Sequence, residues 1–173
     1  MQEEFELTYL VKSVPEAIWS CPYKELLDIY LPAVDEHPRL RIRRSGDSFE
    51  ITKKQPVTEG DASHQVENTI SLTADEFAEL ASIQGKRVHK IRYYYQEEGY
   101  EYEIDVFQDT LKGLVLADIE FPSSAEKETF VAPSWLLADV TQEKFIAGGM
   151  LCGKSYTDII DKLEAYNYQK LAV

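Results

Sequence analysis

The most constraining feature of the sequence is the strict alternation of arginine and aliphatic residues over positions 39–43. A period of two is typical of a β-strand whose two faces have different surroundings. Turn-forming residues at 45–48 and a return segment that ends at Lys54 complete a predicted hairpin. Cations on one strand face repel each other unless an anion lies against them. The hairpin therefore indicates either a solvated outer face or an anion-binding wall.

The same two-faced alternation recurs along most of the chain. Carboxylates share one face of the first predicted strand and of the last two, while cations share one face of the hairpin and of the strand at 88–95. Short connections between the segments favour antiparallel pairing. Eight strands are predicted: 4–11, 24–32, the two arms of the hairpin 39–54, 65–72, 88–95, 100–107 and 114–121.

Helices are predicted between and after these strands. Thr73 and Glu76 form a capping box, a signal for the start of a helix, and this helix is predicted to run to Gly85. The C-terminal third lacks strand alternation and contains a break at residues 133–135. Its predicted helices are 124–130, 142–147 and 155–166.

Two architectures would place these strands differently. An open sheet with helices on its apolar face would expose the charged face to solvent. A closed, eight-stranded antiparallel β-barrel with helices packed outside, an α+β fold, would line its lumen with the charges. Charges in a lumen require partners. A polyanion with a divalent metal would provide them, because Arg and Lys suit phosphate oxygens and carboxylates suit Mg²⁺.

The charge of the chain restricts the choice of partner. Its 173 residues are predicted to form one domain, 1–173, and a net charge of −13 argues against a nucleic-acid or a polybasic membrane-surface protein. Ten of the eighteen Lys and Arg nevertheless lie in 39–54 and 86–92, which indicates local anion sites or solvated faces. No apolar run is long enough to cross a membrane. Cys21 and Cys152 favour reduced thiols in a cytoplasmic protein.

Several motifs, in their order and spacing along the whole chain, resemble the CYTH domains, also called triphosphate tunnel metalloenzymes. The most specific match runs from 102–107 through Gly113 and Leu114 to 117–120, and is similar to the family's aspartate strand, Gly-Leu pair and A-E-I-E segment. Residues 4–11 resemble its E-x-E-x-K signature. The remaining matches are R-x-R at 41–43, L-T-x-K at 51–54, K-x-R-Y at 90–93 and W-L-G-x-E-V-T at 135–141.

The resemblance implies a tunnel-shaped barrel that performs metal-dependent hydrolysis of a triphosphate, with inorganic triphosphate as the first choice of substrate. The cations that would bind the phosphates are Arg41, Arg43, Lys54, Lys90 and Arg92. The carboxylates that would hold Mg²⁺ or Mn²⁺ are Glu4, Glu6, Asp118 and Glu120. The catalytic residues near the reacting phosphoryl group would be Glu67 and Asp105.

Five positions depart from the family's pattern and bear on activity more than on fold: Thr8, Gln65, Leu137, Lys144 and Ala147. Thr8 stands where the signature has lysine, and Gln65 stands where the family usually has glutamate. Two alternatives therefore stay open: a class IV-type adenylate cyclase, and a catalytically weakened protein that binds polyphosphate or nucleotide. The ligand would be a triphosphate or a nucleoside triphosphate, and a homodimer is compatible with the sequence.

Overall fold

The computed structural model describes residues 2–173, with side chains from residue 4 onward. Nine strands lie in these residues, and each pairing between them is antiparallel. The eight predicted strands are all present. The strands are β1 (Gln2–Val11), β2 (Tyr23–Leu31), β3 (Leu40–Ser45), β4 (Ser48–Pro56), β5 (His64–Leu72), β6 (Lys86–Glu97), β7 (Tyr100–Phe107), β8 (Val115–Phe121) and β9 (Leu136–Asp139).

Eight of the strands close into a barrel. Their order is β5-β4-β3-β2-β6-β7-β8-β1, and β1 also pairs with β5. On one side of β1, Glu4 lies opposite Gln65 of β5. On the other side, Thr8 lies opposite Asp118 of β8. The closed antiparallel barrel predicted from the sequence is therefore confirmed.

Helices connect and flank the strands. The capping box predicted at Thr73 and Glu76 is present, and the helix that it opens ends at Ala81, before Gly85. The α-helices within the described residues are α1 (Ala74–Ala81), α2 (Ser124–Thr129), α3 (Gly148–Leu151) and α4 (Tyr156–Glu164).

The region after residue 135 differs from the prediction in two places. The short strand β9 pairs with β1 and was not predicted, because four residues show too little alternation. The predicted helix at 142–147 is wrong: only a 3₁₀ turn forms there, at Lys144–Ile146, and α3 begins at Gly148. A Cβ atom on Gly148 would lie 2.1 Å from the Tyr30 hydroxyl oxygen, so glycine at this position permits the close approach of Tyr30.

Strand alternation divides the barrel wall into a charged inner face and an apolar outer face. On the outer face, Ile104 and Ile119 are fully buried in a cluster with Trp135. α1 contributes Phe77 to a separate outer cluster with Ile42. Burial of these side chains is the main favourable term in holding the wall together. No helix in residues 2–173 has the length and apolarity needed to cross a membrane.

One end of the lumen is apolar. Leu10, Phe107 and Leu116 occupy inward-facing strand positions and belong to a buried cluster that also contains Leu151 of α3 and Leu163 of α4. The C-terminal helices therefore pack against this end of the barrel, and the charged part of the lumen lies beyond it.

Candidate functional site

The barrel encloses a cavity of about 770 Å³. Every site residue predicted from the sequence lines it, because alternation points the charged positions of seven strands inward. The role that each one has in function stays a prediction. The lining cations among them are Arg41, Arg43, Lys54, Lys90 and Arg92, and the carboxylates are Glu4, Glu6, Glu67, Asp105, Asp118 and Glu120.

Lys54 lies between the two carboxylates of β1. Its Nζ is 2.9 Å from an oxygen of Glu4 and 2.9 Å from an oxygen of Glu6. Gln65 also donates to Glu6, at 2.8 Å. Burial disfavours the charge of the lysine, but Glu6 and Glu4 outweigh burial and raise the pKa of Lys54. Burial raises the pKa of Glu6 against the attraction of Lys54.

The most extensive network joins β6 to β7. Arg92 donates through Nε and Nη2 to the two oxygens of Asp105, each at 2.7 Å. Lys90 donates to the same carboxylate, which is almost fully buried. Burial opposes the charge of this carboxylate, but Arg92 and Lys90 together lower the pKa of Asp105 to about 2, so it is ionised at neutral pH. Burial, reinforced by Arg92, lowers the pKa of Lys90.

Arg92 extends this network to β8. Its Nη1 donates to Glu103, and its Nη2 donates to Asp118 at 3.2 Å. The other oxygen of Asp118 accepts a hydrogen bond from the Thr8 hydroxyl at 2.7 Å. Each charge in this part of the lumen therefore has a partner at short range. We call it the paired wall, and its members are Lys90, Arg92, Glu103, Asp105 and Asp118.

Arg43 is bonded to a residue that the sequence analysis did not select. Asp28 of β2 lies directly opposite Arg43 in the strand register. It accepts from Nε at 2.6 Å and from Nη2 at 2.7 Å. Burial opposes both charges, yet Arg43 lowers the pKa of Asp28, and Asp28 raises the pKa of Arg43. Two of the three guanidinium nitrogens of Arg43 are therefore engaged before any ligand binds.

Arg41, the next inward residue on β3, has weaker partners. Its ion pair with Glu50 is long, at 3.7 Å, and Tyr30 of β2 lies directly opposite it in the strand register. Its Nε is buried and has no hydrogen-bond acceptor among the described residues. A buried donor without an acceptor is unfavourable, so this atom marks a position where an anion would be stabilised. We call Arg41 and Glu50 the open wall.

Glu120 lies among other carboxylates. Burial, followed by repulsion from Glu103, Glu4 and Glu6, raises the pKa of Glu120 to about 7. The side chain faces the open space of the lumen, so protons and ions can reach it. Glu120 therefore titrates near neutral pH, whereas Asp105 of the paired wall stays ionised.

Sequence reasoning missed the inward-facing residues of β2. Lys24, Asp28 and Tyr30 line the cavity, as does Glu50 of β4. The strand itself was predicted, but aliphatic residues on both of its faces hid the alternation. The available signal was the single carboxylate within the largely apolar run 26–31, because a buried acid requires a partner.

The carboxylates of β1 and β8 fit a divalent metal in their chemistry. Mg²⁺ and Mn²⁺ prefer hard oxygen ligands. The ammonium of Lys54, held between Glu4 and Glu6, shows that this pair attracts a cation. No group of three or more His, Cys, Asp or Glu side chains is already assembled for a metal within the described residues. A metal that binds between Glu4 and Glu6 must therefore displace Lys54.

Comparison with known proteins identifies relatives of similar length. No model of a known protein family matches the chain. An inorganic triphosphatase of Nitrosomonas europaea is 31% identical over 144 residues, which cover 82% of this chain and 91% of the relative. An inorganic triphosphatase of Acetivibrio thermocellus is 29% identical over 109 residues, or 62% of this chain and 67% of that protein.

Solved structures support the same relationship. The crystal structure of the inorganic triphosphatase NE1496 matches with a TM-score of 0.65 at 27% identity, covering 89% of this chain and 97% of that one. The PH1012 protein of Pyrococcus horikoshii OT3 matches with a TM-score of 0.52 at 16% identity, covering 96% and 92% of the two chains, and supports the fold alone.

The fold and the cavity define this chain as an antiparallel tunnel barrel lined with opposed cations and carboxylates. Given the identity to the Nitrosomonas protein over most of both chains, it belongs to the CYTH, or triphosphate tunnel metalloenzyme, family. The resemblance inferred from the sequence motifs is confirmed.

Proposed function

We propose that this protein hydrolyses a triphosphate inside the barrel, with inorganic triphosphate as the substrate. The observation that carries the proposal is the Nε of Arg41, a buried donor that has no acceptor among the described residues and belongs to a side chain lining the cavity. Phosphate oxygens in the cavity would give this guanidinium the short-range counter-charge that it lacks. The two relatives, both named inorganic triphosphatases, support the same activity.

The charged side chains have separate tasks in this proposal. Phosphate oxygens are bound by Arg41, Arg43, Lys54, Lys90 and Arg92, which stabilise the charge that develops on the leaving phosphate. Asp105 acts near the reacting phosphoryl group by holding Lys90 and Arg92 in place. Glu67, which accepts a hydrogen bond from Thr69 at 2.7 Å, orients the attacking water.

The metal ligands in this proposal are Glu4, Glu6, Asp118 and Glu120. When bound, Mg²⁺ or Mn²⁺ would polarise phosphoryl oxygens and neutralise part of their charge. The two free thiols, Cys21 and Cys152, favour a reducing compartment and hence a cytoplasmic location.

Release of phosphate from inorganic triphosphate, ATP and thiamine triphosphate, with Mg²⁺ or Mn²⁺ and with a chelator, tests the proposal. We expect metal-dependent release from inorganic triphosphate, strongly reduced in Glu6→Gln. The matched control is Glu25→Gln, because Glu25 contacts His89 on the outer surface. Release of pyrophosphate from ATP, without hydrolysis of inorganic triphosphate, would instead indicate that the protein is a cyclase. If no phosphate is released from any of the substrates, the proposed hydrolase activity is wrong.

A second candidate function is tight binding of a triphosphate with slow turnover. The observation that favours it is Thr8, whose hydroxyl donates to Asp118 and brings no positive charge to the lumen. If missing charge limits the reaction, Thr8→Lys should raise turnover more than it changes affinity. If the variant folds and binds triphosphate but turns over no faster, Thr8 does not limit the rate, and Gln65→Glu becomes the next test.

A further inference from the structure

Asp28 is as deeply buried as any carboxylate of the lumen, at 1% exposure, and the proposed function gives it no task. It lies on β2 directly opposite Arg43 and accepts two short hydrogen bonds from it. The geometry points to Asp28 as a positioning residue, which fixes the guanidinium of Arg43 so that its remaining nitrogen meets the phosphate chain. This inference rests on the proposed binding of triphosphate in the lumen.

The two bonds restrict Arg43 in a specific way. A guanidinium is planar, so contacts at both Nε and Nη2 fix the plane and the direction of the fork. Nη1 is the nitrogen left for an anion in the cavity that Arg43 lines. An arginine held in this way loses little side-chain freedom when a ligand binds, which favours affinity.

A role in stability alone accounts poorly for this pair. Two buried opposite charges contribute little net stability, because their removal from water offsets most of their attraction. Ile29 follows Asp28, Ile42 precedes Arg43, and the two isoleucines lie opposite each other on the outer face of the same two strands. Both are fully buried. The strands are therefore held by apolar packing on one side, and the ion pair is placed on the side that faces the cavity.

Arg41 shows what an arginine of the same strand looks like without such a partner. It has a long contact to Glu50, and its Nε remains without an acceptor in the described residues. On β3, the orientation of Arg43 is therefore fixed before a ligand binds, whereas Arg41 keeps a donor without an acceptor among the described residues. A triphosphate would meet both.

Because Asp28 is negatively charged, the two possible roles predict opposite changes in triphosphate affinity when that charge is removed. If Asp28 acted only as a negative charge near the ligand, its removal would strengthen the binding of a polyanion by relieving repulsion. If Asp28 positions Arg43, its removal weakens binding. The matched control is Glu50, an inward-facing carboxylate on β4 whose contact to Arg41 is long.

The experiment is titration calorimetry of tripolyphosphate into the wild-type protein, Asp28→Asn and Glu50→Gln, without divalent cation so that no turnover occurs. We expect Asp28→Asn to bind at least about tenfold more weakly, as for loss of a charge-assisted contact. We expect Glu50→Gln to bind as tightly as the wild type or more tightly. Equal or tighter binding by Asp28→Asn would overturn the inference.

Variants of Arg43 show whether Asp28 acts through Arg43 or contacts the ligand itself. They also allow the test to be made if Asp28→Asn alone does not fold. In an Arg43→Gln background, Asp28→Asn also removes an unpaired buried acid, so this double variant should fold at least as well as Arg43→Gln. If Asp28 acts through Arg43, the second substitution causes no further loss of affinity. A further loss would contradict positioning. Absence of binding by the wild-type protein would instead contradict the proposed function itself.

Discussion

The paired wall and the open wall are built from the same residue types but differ in how their charges are matched. In the paired wall, Arg92 bonds three carboxylates and Asp105 bonds two cations. In the open wall, Arg41 has one long ion pair and a donor without an acceptor among the described residues. The number of cations in a lumen therefore overstates its capacity to bind an anion. Bonds within a wall hold its cations in place and leave fewer of their nitrogens free for the ligand.

Strand register explains the difference. Arg92 lies directly opposite Asp105 on β7, so the two side chains meet without any adjustment of the backbone. Arg41 lies opposite Thr52 on β4, and Thr52 shares a hydrogen bond with Thr69 at 2.9 Å. An uncharged neighbour leaves the guanidinium of Arg41 without a short-range counterion on that side.

The largest expected effect concerns stability in the paired wall. Asp105→Asn keeps the shape of the side chain but removes the charge that Lys90 and Arg92 share, and the buried Lys90 loses its bonded counterion. We expect the free energy of unfolding, measured in urea, to fall by about 3–5 kcal/mol. Glu50→Gln, the same chemical change in the open wall, should alter it by less than about 1 kcal/mol. Equal losses in the two variants would show that the two walls do not differ.

A smaller effect concerns the titration of Glu120. Its surroundings disfavour the ionised carboxylate, whereas those of Asp105 favour it. The pKa of Glu120 is raised to about 7 in the folded protein, so the folded state holds a proton that the unfolded chain has already released. Stability of the metal-free protein should therefore fall as the pH rises from about 4.5 to about 7. Melting temperatures across this range should fall less steeply in Glu120→Gln. Parallel curves for the two proteins would contradict the raised pKa.

Much of this arrangement could be predicted from the sequence, because the period of two decides which face each strand residue occupies. Arg41, Lys90 and Glu120 were placed in the lumen for that reason, and all three line the cavity. The pairing of charges was not predicted, since it depends on register between strands that are distant in sequence. Asp28 was missed for this reason and because the aliphatic residues around it occupy both faces of β2.

The C-terminal third was predicted less well for a different reason. The helix predicted at 142–147 does not form, and residues 144–146 form only a 3₁₀ turn. α3 instead begins at Gly148, where the Tyr30 hydroxyl approaches the backbone closely. Contacts of this kind are formed only in the folded chain and leave no local signal.

The measurement that tests the central claim most directly compares two arginines of one strand. Arg41 faces the lumen, whereas Arg44 lies on the outer face, where it is partly exposed and forms a long ion pair with Glu25. Alanine at either position removes the same charge from the protein. Tripolyphosphate titrated in the absence of divalent cation should bind at least about tenfold more weakly to Arg41→Ala and with nearly unchanged affinity to Arg44→Ala. Unchanged affinity in Arg41→Ala, or equal losses in both variants, would contradict binding of the triphosphate by Arg41.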